Sequence, residues 1–308
     1  MIKITRCTVC AVSIGLLTLC SAAIGAETPA FAWSTVVNNG DYMPTDTCNP
    51  ATPTSGCRHF NSYNQPSVNR KGLVVMRARS KGGSASGQPV HGIYTRDMTV
   101  HGSPIVRILD RTTTVPQPNN LDTAFVETPS FPTIAIDSST IATRGNEQPV
   151  WEYTLADGTE TRAGTTGIYT NPFGPLITGA SNLGTVPGFS FFQVPELPGT
   201  SFDVFAGAPA VASKDLNVFK GNYTEGTIPR TGVYFRRLED RAITGPDGQS
   251  LAPVGGENPV VSIANTADTA IPGTGLLFGS TAPPSAAGNE VVFAGFDNEN
   301  QPTAGGIY

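Results

Sequence analysis

The chain has 308 residues, a formal net charge of −5 at pH 7 and no basic run, which argues against a nucleic-acid-binding protein. Only 14% of its residues are charged, while 34 glycines and 26 prolines interrupt the sequence. This composition disfavours long helices and is typical of many short strands joined by turns. After the first 23 residues no segment has the roughly 18 apolar residues that a membrane span needs.

The N-terminus is typical of a secretory signal peptide. Lys3 and Arg6 supply a positive start, and residues 10–23 form an apolar stretch too short to span a bilayer. Small residues around Ala32 suit signal peptidase, so cleavage is predicted between Ala32 and Trp33.

This interpretation divides the chain into a signal peptide, 1–32, and a mature domain, 33–308, of an exported protein. Two alternatives stay open: cleavage after Ala26, and lipoprotein processing at Cys20, where the preceding residue is bulkier than that processing prefers. The expected location is secreted, periplasmic or on the cell surface.

The mature domain keeps two cysteines, Cys48 and Cys57. An even pair in an exported chain predicts a disulfide, and closing so short a loop stabilises by about 2.5 to 3 kcal/mol. A redox or metal pair is the alternative, but the spacing is not C-x-x-C and only His59 lies near.

One pattern recurs four times with a period of 65 to 77 residues. Each copy starts at a proline: Pro66, Pro132, Pro209 and Pro283. A short β-type apolar run follows, at 73–76, 140–142, 217–219 and 291–293. Each copy closes on Gly, an aliphatic residue and Tyr, at 92–94, 167–169, 232–234 and 306–308. A tandem array of one supersecondary unit is therefore predicted.

A second landmark, a hydrophobic residue followed by proline, recurs at 43–44, 115–116, 186–187 and 271–272. Strands are predicted ahead of it, at 35–37, 105–109, 175–178 and 260–263, because proline suits strand ends. Four antiparallel strands per unit are typical of a β-propeller blade. The predicted fold is all-β, a propeller-like array of about four units, near 33–94, 95–169, 170–234 and 235–308.

The ends of the array leave two hypotheses open. The mature chain begins with a fourth strand, 33–37, and ends inside a third strand at Tyr308. Either the N-terminal strand closes the propeller, or the chain is truncated and further units follow.

Two units carry insertions. Residues 150–161 contain Asp157-Gly158 between strand-like flanks, which predicts a hairpin. Residues 241–257 contain Pro246-Asp247-Gly248, which predicts a turn. Insertions in repeat arrays often map to the binding face.

Together the landmarks resemble those of secreted bacterial tandem-repeat proteins with propeller-like blades, which often occur in choice-of-anchor surface proteins. The motifs are Val-Pro or Ile-Pro-Gly, Pro-Ser-Val/Ile-Asn, Val-Val-Phe-x-Gly and Gly-Ile-Tyr, clearest at 66–94 and 271–308. The resemblance covers nearly all of the mature chain and implies the fold, without implying an activity.

Catalytic patterns are scarce. His59, His91 and His101 form neither H-x-x-x-H nor H-E-x-x-H, and His91 is interpreted as a variable turn position. No G-x-S-x-G elbow or G-x-G-x-x-G loop stands in a suitable context. The best local oxygen cluster, 297–300, does not match a calcium loop and favours a solvated turn. No metal or cofactor is expected.

Three recurring sets of residues are candidates for function. Basic residues follow the apolar runs and could ring an anion-binding channel, with solvated strand ends as the alternative: Arg77, Arg144 and Lys220. Carboxylates from different units could form a glycosidase pair: Asp110, Asp137, Glu152, Asp203 and Asp215. The repeated tyrosines are predicted to be core, with a carbohydrate-stacking platform as the alternative: Tyr94, Tyr169, Tyr234 and Tyr308.

The first function hypothesis is a secreted or cell-surface binding and scaffold protein for an unknown protein or glycan. It would use the insertions to hold its partner. The alternative is an extracellular hydrolase, glycosidase-like, with carboxylates in a central channel. The scarcity of histidine and of nucleophile motifs favours the first.

Overall fold

A computed structural model of the protein describes residues 32–82, 88–119, 123–126, 131–154, 157–251 and 255–308. Residues 37–308 form one compact body. Residues 1–31 of the predicted signal peptide lie outside the described residues, and Trp33 is almost fully exposed. The strand predicted at 35–37 is wrong, because the backbone there bends at Val36 and does not form a strand. The apolar run consists of only two valines, which is too short to form a strand. A turn follows at once, in which Asp41 N donates to Asn38 O.

The first sheet has antiparallel strands, in which β1 and β2 pair one after the other with β3, followed by β4 and β5. The strands are β1 (Phe60–Tyr63), β2 (Ser67–Val68), β3 (Leu73–Ser80), β4 (His91–Asp97) and β5 (Val106–Asp110).

The second sheet has the order β6-β7-β8-β9 and contains the long β7–β8 hairpin. Its strands are β6 (Thr133–Ile134), β7 (Ile141–Thr154), β8 (Glu160–Thr170) and β9 (Ile177–Ser181). Two 3-10 turns follow, at Leu183–Thr185 and Ser190–Phe192.

The third sheet repeats the order of the first: β10 and β11 both pair with β12, then come β13 and β16. A small hairpin, β14–β15, is inserted before the last strand. The elements are β10 (Val204–Phe205), β11 (Ala210–Val211), β12 (Leu216–Glu225), β13 (Ile228–Arg237), β14 (Ile243–Thr244), β15 (Ser250–Leu251) and β16 (Val261–Asn265).

The last strands form a shorter assembly in which β17 pairs with β20, β20 with β21, and β18 with β19. They are β17 (Ser280–Thr281), β18 (Ser285–Ala287), β19 (Glu290–Val292), β20 (Ala294–Phe296) and β21 (Gly305–Ile307). The run predicted at 291–293 is broken at Phe293, although Phe293 and Tyr308 still exchange two backbone hydrogen bonds of 3.0 and 2.9 Å.

The all-β class is confirmed, with several antiparallel sheets that are open within the described part of the chain. Each Gly-x-Tyr motif reaches into a third strand: β4, β8, β13 or β21. In the first three sheets the ladder to the fourth strand shifts register at the same place, between the aliphatic residue and the tyrosine. Such a shift is the mark of a β-bulge, which locally increases the twist of a sheet.

Successive sheets pack against one another through apolar clusters. Val75 and Ile93 of the first sheet meet Ile141 and Tyr169 of the second. Ile168 of the second sheet packs in one cluster with aromatic side chains of the third sheet. Apolar side chains of the third sheet and of the last assembly form a further cluster. The short strands after the repeat prolines are neighbours in order, β2 beside β6, β6 beside β11, and β11 beside β18.

Two of the repeated tyrosines, Tyr169 and Tyr234, are members of these clusters, and Tyr308 packs against a third cluster. The burial of the first three tyrosines confirms the core interpretation for them. Tyr94, Tyr169 and Tyr234 are fully buried, and burial raises the pKa of Tyr94 and of Tyr234. Buried rings offer no face to a sugar, so the carbohydrate-stacking alternative is not supported for these three.

Each tyrosine meets a phenylalanine that the sequence analysis missed. The ring centroids of the four pairs lie 4.8 to 5.1 Å apart with interplanar angles of 68° to 88°: Phe60–Tyr94, Phe125–Tyr169, Phe202–Tyr234 and Phe278–Tyr308. Aromatic rings favour this edge-to-face arrangement. The signal was present, since each phenylalanine lies five to seven residues before a repeat proline.

The predicted disulfide is present between Cys48 and Cys57. It closes the segment that precedes β1, in which Met43 is fully buried and its amide donates to Arg58 O at 2.8 Å. Among the described residues, no helix has the length and apolar character needed to cross a membrane.

Candidate functional site

The two insertions, about 90 residues apart in sequence, pack on one aromatic cluster. The first is the end of the β7–β8 hairpin, where Thr154 pairs with Glu160, and the second is β14–β15 with a turn at Gly248. The hairpin predicted at Asp157-Gly158 and the turn predicted at Pro246-Asp247-Gly248 are both confirmed, although residues 155–156 and 252–254 lie outside the described part.

We call this structure the insert lobe: the outer β7–β8 hairpin (153–161), the 3-10 turns (183–192) and the β14–β15 hairpin (243–251). Its core consists of buried apolar residues from the 3-10 turns and from β14, and Tyr153 of the β7–β8 hairpin and Leu251 of β15 pack at the edge of this core: Leu183, Val186, Phe189, Phe191, Phe192 and Ile243. The lobe therefore has a hydrophobic core of its own, in addition to those between the sheets. Its tips, Thr159 and Gln249, are exposed.

Arg236 joins this lobe to the sheets, and it is fully buried. Its guanidinium carbon lies 5.0 and 4.8 Å from the ring centroids of Phe191 and Phe192. Its nitrogens donate to Asn258 O at 2.8 Å, to Gly179 O at 3.1 Å and to Gly256 O.

The side chain thus connects β13 to β9 and to the chain after β15. Burial lowers the pKa of Arg236 to about 9, and the carboxylates of Glu239 and Glu257 act in the opposite direction. The guanidinium remains charged at neutral pH, and its several carbonyl partners compensate for lost hydration. Sequence reasoning missed Arg236, because nothing in the pattern distinguishes it from the neighbouring Arg237.

The predicted basic residues occupy equivalent positions in three sheets, opposite Ile93, Ile168 and Val233 in register. Their contacts differ. Arg77 Nη1 donates to Asn64 Oδ1 at 3.0 Å, and Arg144 Nη1 donates to Phe205 O of the third sheet. Lys220 is half-buried; burial lowers its pKa, and Glu299 opposes that shift. The partners described for Arg77 and Arg144 are thus different residues in different parts of the chain.

The candidate carboxylates make separate local contacts. Asp110 is buried, and its Oδ2 accepts from Arg107 Nη1 at 2.9 Å. Asp137 pairs with Arg70 at 3.2 Å, Asp203 accepts from Thr224 at 2.8 Å, and Asp215 accepts from Arg237 at 3.0 Å. Glu152 is exposed on the outer part of β7.

The oxygen cluster at 297–300 orders its own loop. Asp297 Oδ1 accepts from Thr303 N at 2.9 Å and Ala304 N at 2.8 Å. These bonds and that of the Thr303 hydroxyl lower the pKa of Asp297 to about 2. This geometry supports the solvated-turn interpretation, and the described residues include no cluster of three or more metal-ligating side chains.

The turn interpretation of His91 is wrong. His91 is the first residue of β4, half-buried and paired in register with Arg79 of β3. The strand begins one residue before the Gly-Ile-Tyr motif because the β3 ladder extends that far.

Comparisons of the chain with protein-family models, with curated proteins and with solved structures found no match.

Arg236→Lys should lower the free energy of unfolding by about 2 to 4 kcal/mol. An ammonium keeps the charge but cannot reach the several carbonyls that the planar guanidinium bridges, so buried acceptors lose their donors. Urea denaturation gives the value. Arg237→Lys is the matched control: Arg237 is about half exposed and forms one ion pair with Asp215, so a change of about 0.5 kcal/mol or less is expected. Equal effects of the two substitutions would contradict the bridging role.

Proposed function

We propose that this chain is an exported or cell-surface binding and scaffold protein, which holds a protein or glycan at the insert lobe. The observation that carries the proposal is that two distant insertions are built onto one aromatic cluster. If the two insertions only capped turns, they could vary as separate loops, yet Tyr153, Ile243 and Leu251 all pack on the same cluster of phenylalanine side chains. A rigid base with exposed tips is what a binding surface requires.

The contacts of the carboxylates favour binding over hydrolysis. A glycosidase of the usual kind needs two carboxyl groups about 5 to 9 Å apart on either side of a sugar. Asp110, Asp137, Asp203 and Asp215 instead contact arginine, serine or threonine side chains that order nearby strands.

We further propose that the sheets are blades of a β-propeller. The support is the in-order packing of β2, β6, β11 and β18, the positions expected for innermost strands around an axis. Within the described residues β21 pairs only with β20, whereas β4, β8 and β13 each have a fourth strand. A further strand paired with β21 would complete the last blade.

Ring closure makes a quantitative prediction at Ile307. Its counterparts Ile93, Ile168 and Val233 are at most 1% exposed, whereas Ile307 is 72% exposed when β21 lacks a neighbour. In a closed ring Ile307→Ala should cost about 2 to 5 kcal/mol, as Ile168→Ala should, because both leave a cavity. Denaturant unfolding of the two variants measures this.

A cost below about 1 kcal/mol for Ile307→Ala, beside a large cost for Ile168→Ala, would show that the array stays open. The Ile168 variant serves as the internal standard, since its packing does not depend on closure.

Binding at the insert lobe is tested with a microarray of defined neutral and acidic oligosaccharides. The protein should be retained on a subset of glycans without releasing reducing ends. Thr159→Arg and Gln249→Arg, on the two exposed tips, should weaken retention at least about fivefold, because a bulky charge on each tip obstructs a docked ligand.

Gln65→Arg makes the same change at an exposed loop of the first sheet and should leave retention unchanged. Release of reducing ends in proportion to protein concentration would favour the hydrolase instead. Equal retention of the lobe and control variants would exclude the lobe as the binding site.

A further inference from the structure

We propose that a cleft beside the disulfide binds an oxyanion group, carboxylate or sulfate, carried by an acidic oligosaccharide. The cleft has a volume of about 550 Å³ and lies between the disulfide segment, β1 and the end of β3. Its polar lining includes Asn39, Arg58, His59, Asn61, Ser80 and Lys81. This site is separate from the insert lobe and does not depend on it.

The charge of the lining is opposite to that of the protein. The whole chain carries −5, yet Arg58 and Lys81 contribute two positive charges to the cleft, and none of the described residues that line it is a carboxylate. No described residue forms an ion pair with either cation. Cations clustered without anions attract negatively charged ligands.

Arg58 is held in place and keeps donors for a ligand. Its side chain is half-buried, and Nη1 donates to Gln88 O at 2.6 Å. Its backbone carbonyl accepts from Met43 N at 2.8 Å. A guanidinium has five N–H donors in a fixed plane, so one bond to a carbonyl leaves others for bidentate contact with an oxyanion.

His59 is similarly oriented by its neighbours. Its ring is stacked on Tyr42 with a centroid separation of 4.1 Å. Nδ1 lies 3.1 Å from Gly40 O, and since a carbonyl oxygen only accepts, Nδ1 carries the proton. Nε2 is then the nitrogen available to a ligand hydroxyl.

The amides complete a surface suited to sugar hydroxyls. Asn39 Oδ1 accepts from Tyr63 Oη at 2.6 Å, which fixes the amide and leaves its NH2 group as a donor. Asn61, also in the lining, is exposed. Ligands with many hydroxyl groups are recognised by such donors and acceptors, whereas a purely apolar ligand would leave them unpaired.

The disulfide makes the site rigid. Cys57 lines the cleft and directly precedes Arg58, so the cross-link to Cys48 fixes the backbone that carries both Arg58 and His59. Ordering the site before binding reduces the entropy lost on association. The volume falls within the roughly 300–1,000 Å³ range of small-ligand sites and suits a short acidic saccharide better than a bare ion.

The test is isothermal titration calorimetry of the full mature chain with three probes: an oligogalacturonate tetrasaccharide, the neutral galactose tetrasaccharide, and inorganic phosphate. The acidic tetrasaccharide should bind more tightly than either of the others, and its affinity should fall as salt is raised. Arg58→Gln and Lys81→Gln should each weaken binding about tenfold or more, because each removes a charged donor.

Lys71→Gln is the matched control, because Lys71 is exposed, lies outside the cleft lining and changes the net charge equally. Lys81 is also exposed, so its variant should fold; Arg58→Lys and circular dichroism control for folding at Arg58. Equal affinity for acidic and neutral tetrasaccharides, or equal effects of Lys71→Gln and Lys81→Gln, would overturn the proposal. Phosphate binding as tight as that of the acidic tetrasaccharide would assign the cleft to a free oxyanion and overturn its saccharide part.

Discussion

The packing of each sheet depends on an edge-to-face contact between one phenylalanine and the tyrosine of Gly-x-Tyr. In the second and third sheets the contact needs glycine in the central strand, because a Cβ at Gly145 or Gly221 would lie 2.6 or 2.5 Å from a phenylalanine ring atom. The glycine lets the phenylalanine lie flat on the strand, and the tyrosine ring then meets it edge to face. One local rule therefore repeats along the chain, and in three of the four units the aromatic pair belongs to or packs against a cluster that also contains side chains of a neighbouring sheet.

Function is expected where the chain departs from that rule. The insert lobe adds an aromatic core that is separate from the repeated phenylalanine–tyrosine contacts, and Arg236 connects this core to the second and third sheets. The disulfide segment, near the other end of the described chain, also departs from the repeated pattern. There Arg58 and Lys81 line a cleft, and none of the described lining residues is acidic. A regular array thus supports two irregular surfaces of different chemistry, one exposed and polar at its tips and the other cationic.

Much of the fold was predictable because strands and turns leave local signals. Glycine-tyrosine motifs, repeat prolines and the Asp157-Gly158 turn all mark the elements that the structure contains. The sites were less predictable, because their chemistry depends on partners distant in sequence. Arg236 acquires its role only through carbonyls of other strands, and Asp110 looked catalytic only while Arg107 and its other partners were unknown. The strand expected at 35–37 failed because a run of two valines is too short for β-propensity alone to fix a strand.

The most direct test is the free energy of unfolding of Gly145→Ala and Gly221→Ala, with Gly56→Ala as the control. An added methyl at either strand glycine would overlap a phenylalanine ring, so each should lose about 1 to 3 kcal/mol. At Gly56 the nearest atom to an added Cβ is 3.9 Å away, so a change of about 0.5 kcal/mol or less is expected. If the strand glycines tolerate alanine as well as Gly56 does, the repeated contact between phenylalanine and tyrosine does not determine the packing of each sheet.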